Sequence, residues 1–269
     1  MERSVCLLAA VAALSCFAAD TDCKPNAPCY SAGTVVSAAS GEPGALAPNT
    51  LASIYGARLS FTERALQFSD IQAGQLPVLL PYTGVQVLLG GRYAPLYYVS
   101  PTQVNFLIPS DVKPGEVPLQ LIREGTAGPA VRVTLRQAAP ALFQLDGTTV
   151  VASHLDYSLV AEQTPARPEE WVILWATGLG EVTPRADPLF IPRQAASLEQ
   201  MRSFCVLLDH VPVAADRIGY AGLAPGWGGL YQVNLRVPGG LGPNPEIRLA
   251  AGEEASRPGV RIWLDPQAK

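Results

Sequence analysis

Histidine is almost missing from this chain, with two in 269 residues, and charged residues make up only 16 % of it. So little imidazole leaves a poor supply of metal ligands and general bases, and the carboxylates show no ligand spacing that would compensate. The 19 Lys and Arg against 23 Asp and Glu give a net charge of −4 with no run of like sign. That excludes the cationic footprint a phosphate backbone requires, so nucleic acid is not an expected partner. Beyond the N-terminus no apolar run approaches the roughly 20 residues of a membrane-spanning helix. What is abundant is glycine (24) and proline (25), which interrupt the chain every few residues and favour short strands joined by turns over long helices. The composition points to an all-β protein without catalysis or cofactor.

The first 19 residues read as a signal peptide. Arg3 supplies the n-region cation, Val5 to Ala19 the apolar run, and Ala18 with Cys16 the small residues before a cleavage site, with Ala19 as the second choice. Acylation at Cys16 is the lipoprotein alternative, disfavoured because in Ala13-Leu14-Ser15 the position three residues upstream is Ala13 rather than the usual Leu. Of five cysteines, Cys6 and Cys16 leave with the signal. In an oxidising compartment Cys23 and Cys29, flanking a turn-forming Lys24-Pro25-Asn26-Ala27-Pro28, are expected to form a disulfide that ties down segment 20–29. Cys205, in Phe204-Cys205-Val206-Leu207-Leu208, reads as an inert core residue.

The chain matches itself. Gln103-Val104-Asn105-Phe106-Leu107-Ile108-Pro109 recurs as Gln232-Val233-Asn234-Leu235-Arg236-Val237-Pro238, Val85–Leu89 as Phe204–Leu208, and Pro48–Tyr55 as Pro168–Trp175. A fourth match pairs Thr34-Val35-Val36 with Thr149-Val150-Val151, at an offset of 115. Four matches in one order indicate a duplicated unit, giving units at 30–138 and 139–269. Within each, apolar residues alternate with polar ones: Val104, Phe106 and Ile108 against Gln103, Asn105 and Leu107; Val233, Leu235 and Val237 against Gln232, Asn234 and Arg236. Residues 131–135 and 260–264 alternate likewise. About seven short strands per unit with frequent turn signals predict two tandem immunoglobulin-like β-sandwiches. Residues 62–68 and 195–202 are the only helical patches expected.

Several ordered motifs carry a family likeness. Thr34-Val35-Val36-Ser37-Ala38-Ala39-Ser40, Leu51-Ala52-Ser53-Ile54-Tyr55-Gly56, Ala94 through Asn105, Ala139-Pro140-Ala141-Leu142-Phe143, Ala176-Thr177-Gly178-Leu179-Gly180 and Tyr220 through Gly226 together resemble the Solibacter uncharacterised C-terminal domain family. The Gly-terminated first strand, Val-rich central strand and Val/Ile-x-Pro strand end also look like the IPT/TIG branch of immunoglobulin-like domains. The likeness implies export and the sandwich fold, and implies no activity.

Candidate site residues are few. His154 lies in Ser153-His154-Leu155-Asp156-Tyr157-Ser158, but triad members packed into one hexapeptide cannot converge as separate loops allow. His210, beside Asp209, falls where the first unit has the turn Gly90-Gly91, and a hairpin explains it. Asp146, Asp156 and Asp187 show no calcium-loop spacing. The repeated amides Gln103, Asn105, Gln232 and Asn234 are expected to satisfy neighbouring loop backbone and hold the fold. Trp227 in a Gly-rich loop, Tyr98, Tyr231 and Trp263 are the candidate binding or interface aromatics, while Trp171 and Trp175 belong to the core or its edge. The expected function is an exported, non-catalytic structural or protein-interaction module of the envelope or extracellular space. The alternative is a carbohydrate-binding module using exposed aromatics, so the partner is a protein or a glycan.

Overall fold

The computed structural model describes residues 23–265, so the signal-peptide and Cys16 readings lie outside the described residues. The first half holds β1 (Val35–Ser37), β2 (Leu51–Tyr55), β3 (Arg64–Ala65), β4 (Val85–Leu89), β5 (Arg92–Tyr93), β6 (Leu96–Val99), β7 (Gln103–Leu107), β8 (Gly115–Arg123), β9 (Thr126–Ala127) and β10 (Val131–Leu135). The second holds β11 (Ala141–Leu142), β12 (Ala152–His154), β13 (Trp171–Thr177), β14 (Val182–Thr183), β15 (Ala196–Leu198), β16 (Phe204–Leu208), β17 (Val211–Pro212), β18 (Ile218–Leu223), β19 (Tyr231–Arg236), β20 (Ile247–Ala251) and β21 (Glu254–Ala255). They form four antiparallel sheets: β1-β2-β7-β6-β3 with β10-β8-β4-β5, then β11-β13-β19-β18-β15-β14 with β17-β16-β20-β21. The fold is all-β, two tandem immunoglobulin-like sandwiches.

Each sandwich buries its own apolar cluster, the first spanning Tyr30 to Leu135 and the second Leu142 to Leu264. Period-two alternation places the residues. In β4 Val85, Val87 and Leu89 point inward, and in β16 Phe204, Val206 and Leu208 do. Each such side chain contributes about 1.5–3 kcal/mol on burial. Both strands leave through a two-residue turn with two left-handed residues, Gly90-Gly91 in one unit and Asp209-His210 in the other. His210 is therefore a turn residue, as the repeat predicts.

Strand register confirms Gln103 as the counterpart of Gln232, because Tyr55 pairs with Gln103 and Trp175 with Gln232. It corrects the match at the unit starts. Val35 pairs with Ile54, and Ala152 pairs with Leu174, so the counterpart of Val35 is Ala152, two residues beyond Val150. A two-residue slip leaves every side chain on its own face, so alternation could not detect it. The helical patches are also corrected: Arg64–Ala65 pairs with β6 and Ala196–Leu198 with β18, leaving only single 3₁₀ turns such as Phe68–Asp70 and Met201–Ser203. Residues 260–264 bury Val260, Ile262 and Leu264 as alternation requires, but they make no continuous strand. Their backbone bonds are shared among Thr148, Val150, Ala166, Pro243 and Pro245. Cys205 is half-buried on the outer face of β16, out of phase with the core, rather than inside it.

The N-terminal segment is tied down by the Cys23–Cys29 disulfide. The Arg123 guanidinium, 4 % exposed, donates to the carbonyls of Asn26 in that loop and of Arg58, with the Phe61 ring 3.8 Å away.

The two sandwiches share a buried seam. Leu76 and Leu107, each 1 % exposed, belong to neither core. Leu107 lies on the outward face of β7, and the loop between β18 and β19 covers it. Gly229, at φ +76°, sits so close that a Cβ there would lie 2.5 Å from Leu107 Cδ1. Four hydrogen bonds accompany this contact: Tyr97 Oη to Gly228 O at 3.0 Å, Leu51 N to Thr177 Oγ1 at 2.9 Å, Thr177 Oγ1 to Gly229 O at 2.7 Å, and Asn49 Nδ2 to Tyr231 Oη at 3.2 Å. A second strap runs from Leu76 N to Leu189 O and from Ile191 N to Gly74 O. Inter-domain contacts are often small and mobile, but this one is apolar at its centre and hydrogen-bonded throughout.

Truncation at the seam tests that coupling. All four tryptophans (171, 175, 227 and 263) lie in the second sandwich, so their fluorescence reports it alone, whereas circular dichroism reports both. In urea the two signals are expected to coincide for the parent chain. Leu107→Ala is expected to cost about 2–4 kcal/mol and to separate the two transitions.

Candidate functional site

Alternation sends Ala52 and Ile54 of β2, and Val104 and Phe106 of β7, into the first core. Ser53, Tyr55, Gln103 and Asn105 are left on the outer face of that sheet. There Tyr55 pairs with Gln103, Ser53 with Asn105, and Tyr98 with Asn105. Gln103 Nε2 donates to Asn105 Oδ1 at 2.8 Å and Ser53 Oγ donates to the same oxygen at 2.8 Å. A half-buried ring therefore stands on each side of a half-buried amide pair.

The second sandwich repeats the arrangement. Trp175 pairs with Gln232 and Tyr220 with Asn234, and Gln232 Nε2 donates to Asn234 Oδ1 at 2.7 Å. Even the irregularity recurs: β6 bulges at Tyr97, just before Tyr98, and β18 bulges at Gly219, just before Tyr220. A bulge re-aims the next side chain. The result is one constellation made twice, an aromatic ring, Gln, Asn and a Tyr on an outer sheet face.

The amide pairs are thus not spent on loop backbone, as the sequence suggested; the side chains of all four residues bond to one another or to Ser53. The rings beside them were missed as a set. The signal was present, because Tyr55 and Trp175 occupy the last position of the Pro48–Tyr55 match. The Tyr98 hydroxyl donates to Glu63 Oε1 at 2.9 Å, and the Tyr220 hydroxyl to the carbonyl of Leu223 at 2.7 Å. Desolvation, then Glu63, raises the Tyr98 pKa.

The other candidate aromatics separate. Tyr231 is fully buried and donates to Gly180 O at 2.5 Å, which removes it from any ligand surface. It is in phase with Val233 and Leu235, so the alternation that defined β19 places it inside. Burial also pushes its hydroxyl pKa far up. Trp227 is 41 % exposed on the seam loop, whose Gly226 N donates to Pro192 O. Trp263 is half-buried against the second core. Trp171 and Trp175 are half-buried on the outer face, out of phase with Val172 and Leu174.

Ser153, His154 and Asp156 do not converge. Ser153 Oγ accepts from Trp175 Nε1, and Asp156 accepts from Ser158. Asp146 closes a turn by accepting from the N–H groups of Thr148 and Thr149, which hold its carboxyl down at about 2. Asp187 accepts from Leu189 N, and Asp209 from Glu246 N. Among the described residues, no group of three or more His, Cys, Asp or Glu is placed to hold a metal ion.

No protein-family model and no curated protein matches the chain. Among solved structures it is similar to SGBP-B of the Bacteroides ovatus mixed-linkage glucan utilization locus, in complex with a mixed-linkage heptasaccharide. Identity is 10 %, covering 82 % of this chain and 42 % of that one, with a TM-score of 0.34. It is also similar to domains 5–6 of the S-layer protein SbsC, at 9 % identity over 89 % of this chain and 99 % of that one, TM-score 0.27. The tandem Ig repeats of Dlar follow at 11 %, over 81 % and 90 %, TM-score 0.21. This chain spans less than half the length of SGBP-B, and the fold assignment rests on its own sheets.

His154 makes a structural ion pair. Its Nδ1 lies 2.5 Å from Glu170 Oε1 and its Nε2 3.1 Å from Thr164 O, two acceptors that only the imidazolium can satisfy together. Desolvation lowers its pKa, but the Glu170 hydrogen bond, the Thr164 carbonyl and the charges of Glu170 and Asp156 outweigh that, leaving it above the usual 6.5. A raised folded pKa means stabilisation that is complete below the unfolded value and lost as pH rises through the folded one. Glu170→Gln keeps an oxygen for Arg167 N, which Glu170 accepts at 2.8 Å. Its melting temperature is expected to fall below the parent's at pH 5.5, with the gap closing by pH 8.5.

Proposed function

We propose that this chain is an exported, non-catalytic structural or binding module of the envelope or extracellular space, with its units dividing at 138/139. The observation that carries the proposal is the seam. Leu76 and Leu107 are buried outside either core, beside Gly228 of the other sandwich, and Asn49, Thr177 and Tyr231 are hydrogen-bonded across or beneath that contact. A tandem held in this way is a stiff rod that fixes the separation of whatever it joins or presents. The Cys23–Cys29 disulfide fits an oxidising compartment. Among the described residues no helix is long and apolar enough to cross a membrane.

Small-angle scattering of the oxidised chain tests the reading. One fixed arrangement of the two sandwiches is expected to fit the whole curve, whereas Leu107→Arg, which places a charge beneath Gly229, is expected to require an ensemble of arrangements. A parent curve that itself needs independently moving units would overturn the rod.

A further inference from the structure

We propose that the two repeated outer faces are glycan-binding subsites, each taking neutral sugar residues of a polysaccharide. This deepens the reading of the chain as a binding module and rests on it.

The argument begins with unused hydrogen-bonding capacity. In the first face, Gln103 Nε2 and Asn105 Oδ1 are committed to each other, which leaves Asn105 Nδ2 and Gln103 Oε1 with no protein partner. In the second, the same bond leaves Asn234 Nδ2 and Gln232 Oε1. None of these four atoms is among the buried, unsatisfied ones, so each reaches solvent. Each face therefore offers one amide donor and one amide acceptor, side by side and already oriented by the bond between the two side chains. A pair of neighbouring hydroxyls, each able to donate and accept, fits that arrangement, and the orientation is fixed before any ligand arrives.

The rings add the second requirement. Tyr55 and Tyr98 flank the first amide pair, Trp175 and Tyr220 the second, so an aromatic surface lies beside the polar centre. A sugar has both polar edges and an apolar C–H face, and an amphipathic ring suits the latter. The repeated amides and rings carry no charge, and the charged groups that adjoin them, Glu63 at the Tyr98 hydroxyl of the first face and Arg236 beyond Asn234 on the second, differ in sign, so what the two faces share selects a neutral ligand. A protein partner would need a larger apolar centre than these amide-centred faces provide.

Duplication makes the strongest case. The copies have diverged at neighbouring outward positions: Ser53 stands opposite Asn105 where Ile173 stands opposite Asn234, and Leu107 corresponds to Arg236. Through that divergence both have kept the amide pair, its internal bond, an aromatic ring on one side and a tyrosine on the other. Leu51 N donates to Thr177 Oγ1, so the start of β2 lies at the end of β13 and, along these strands, Tyr55 and Trp175 stand within roughly 25 Å of each other. A single polymer chain that reaches both gains by effective concentration.

Affinity electrophoresis of the oxidised protein through gels containing laminarin, xyloglucan, galactomannan or amylose tests the proposal. At least one polysaccharide is expected to retard the parent. Asn105→Ala and Asn234→Ala are each expected to weaken binding roughly tenfold, and the double variant to run as in a plain gel. Tyr82→Ala, which removes a highly exposed ring outside both faces, is expected to bind as the parent does. Melting curves establish that the variants are folded, and Gln103→Glu with Gln232→Glu, which keep the size of the side chain, serve where an alanine variant unfolds. Retardation by none of the four, or undiminished retardation of a folded double variant, would overturn the glycan assignment. Either outcome leaves the rod reading standing if scattering still shows one rigid shape.

Discussion

Gly229 against Leu107 is the contact on which the arrangement of the molecule depends. The glycine brings backbone to within van der Waals reach of a leucine that would otherwise sit bare on a sheet face. No larger residue fits, both because the approach is too close and because the backbone there has positive φ. Around this point the polar groups close ranks: the Thr177 hydroxyl accepts from Leu51 N and donates to Gly229 O, and the Tyr231 hydroxyl accepts from Asn49 while donating to Gly180. Buried hydroxyls that both donate and accept leave little unsatisfied, so the seam keeps its apolar stabilisation without an opposing desolvation cost.

The corresponding positions of the second unit are built differently. Leu51 and Leu107 of the first unit correspond to Trp171 and Arg236 of the second, and Asn49 corresponds to Glu169, both in a left-handed turn. Where the first unit is apolar and covered, the second is charged and open. Glu169 bridges Arg217 at 2.9 Å and Arg236 at 3.0 Å, and Trp171 lies over Gly219. At the opposite end, Cys29 N donates to Ala57 O just beyond β2, while Ala139 N donates to Gly178 O just beyond β13. The disulfide loop thus covers the end of the first unit, and the linker with the first sandwich covers that end of the second.

Much of this was legible in the residues. The repeat indicated the unit, alternation fixed which side chains enter each core, and Gly90-Gly91, with its repeat counterpart Asp209-His210, marked the hairpin turns. Three of the departures share a cause, since each depends on a contact with a distant segment. Leu107 alternates outward, and only the other sandwich explains its burial. The patch at 62–68 has no strand signal of its own and takes extended form because β6 offers it a ladder. Residues 260–264 have the alternation of a strand, but their hydrogen bonds are drawn to three separate segments. Tyr231 is a different case, because its phase with Val233 and Leu235 is enough to place it inside.

Two diverged copies in one chain also separate the demands of folding from other demands. Core positions keep apolar character but change identity, as Phe106 to Leu235 and Val85 to Phe204 show, because a sandwich needs volume and phase more than particular side chains. Outward positions change freely where their surroundings differ, as Leu107 to Arg236 does. Gln103 and Gln232, Asn105 and Asn234 obey neither rule. They lie outward, contribute nothing to either core, bond mainly to each other, and yet are the same in both units. A strand needs no amide at an outer position, and threonine or valine would serve the ladder better. Their identity is best accounted for by what they present to the solvent side of the sheet, which is a donor and an acceptor held in fixed relation between aromatic rings.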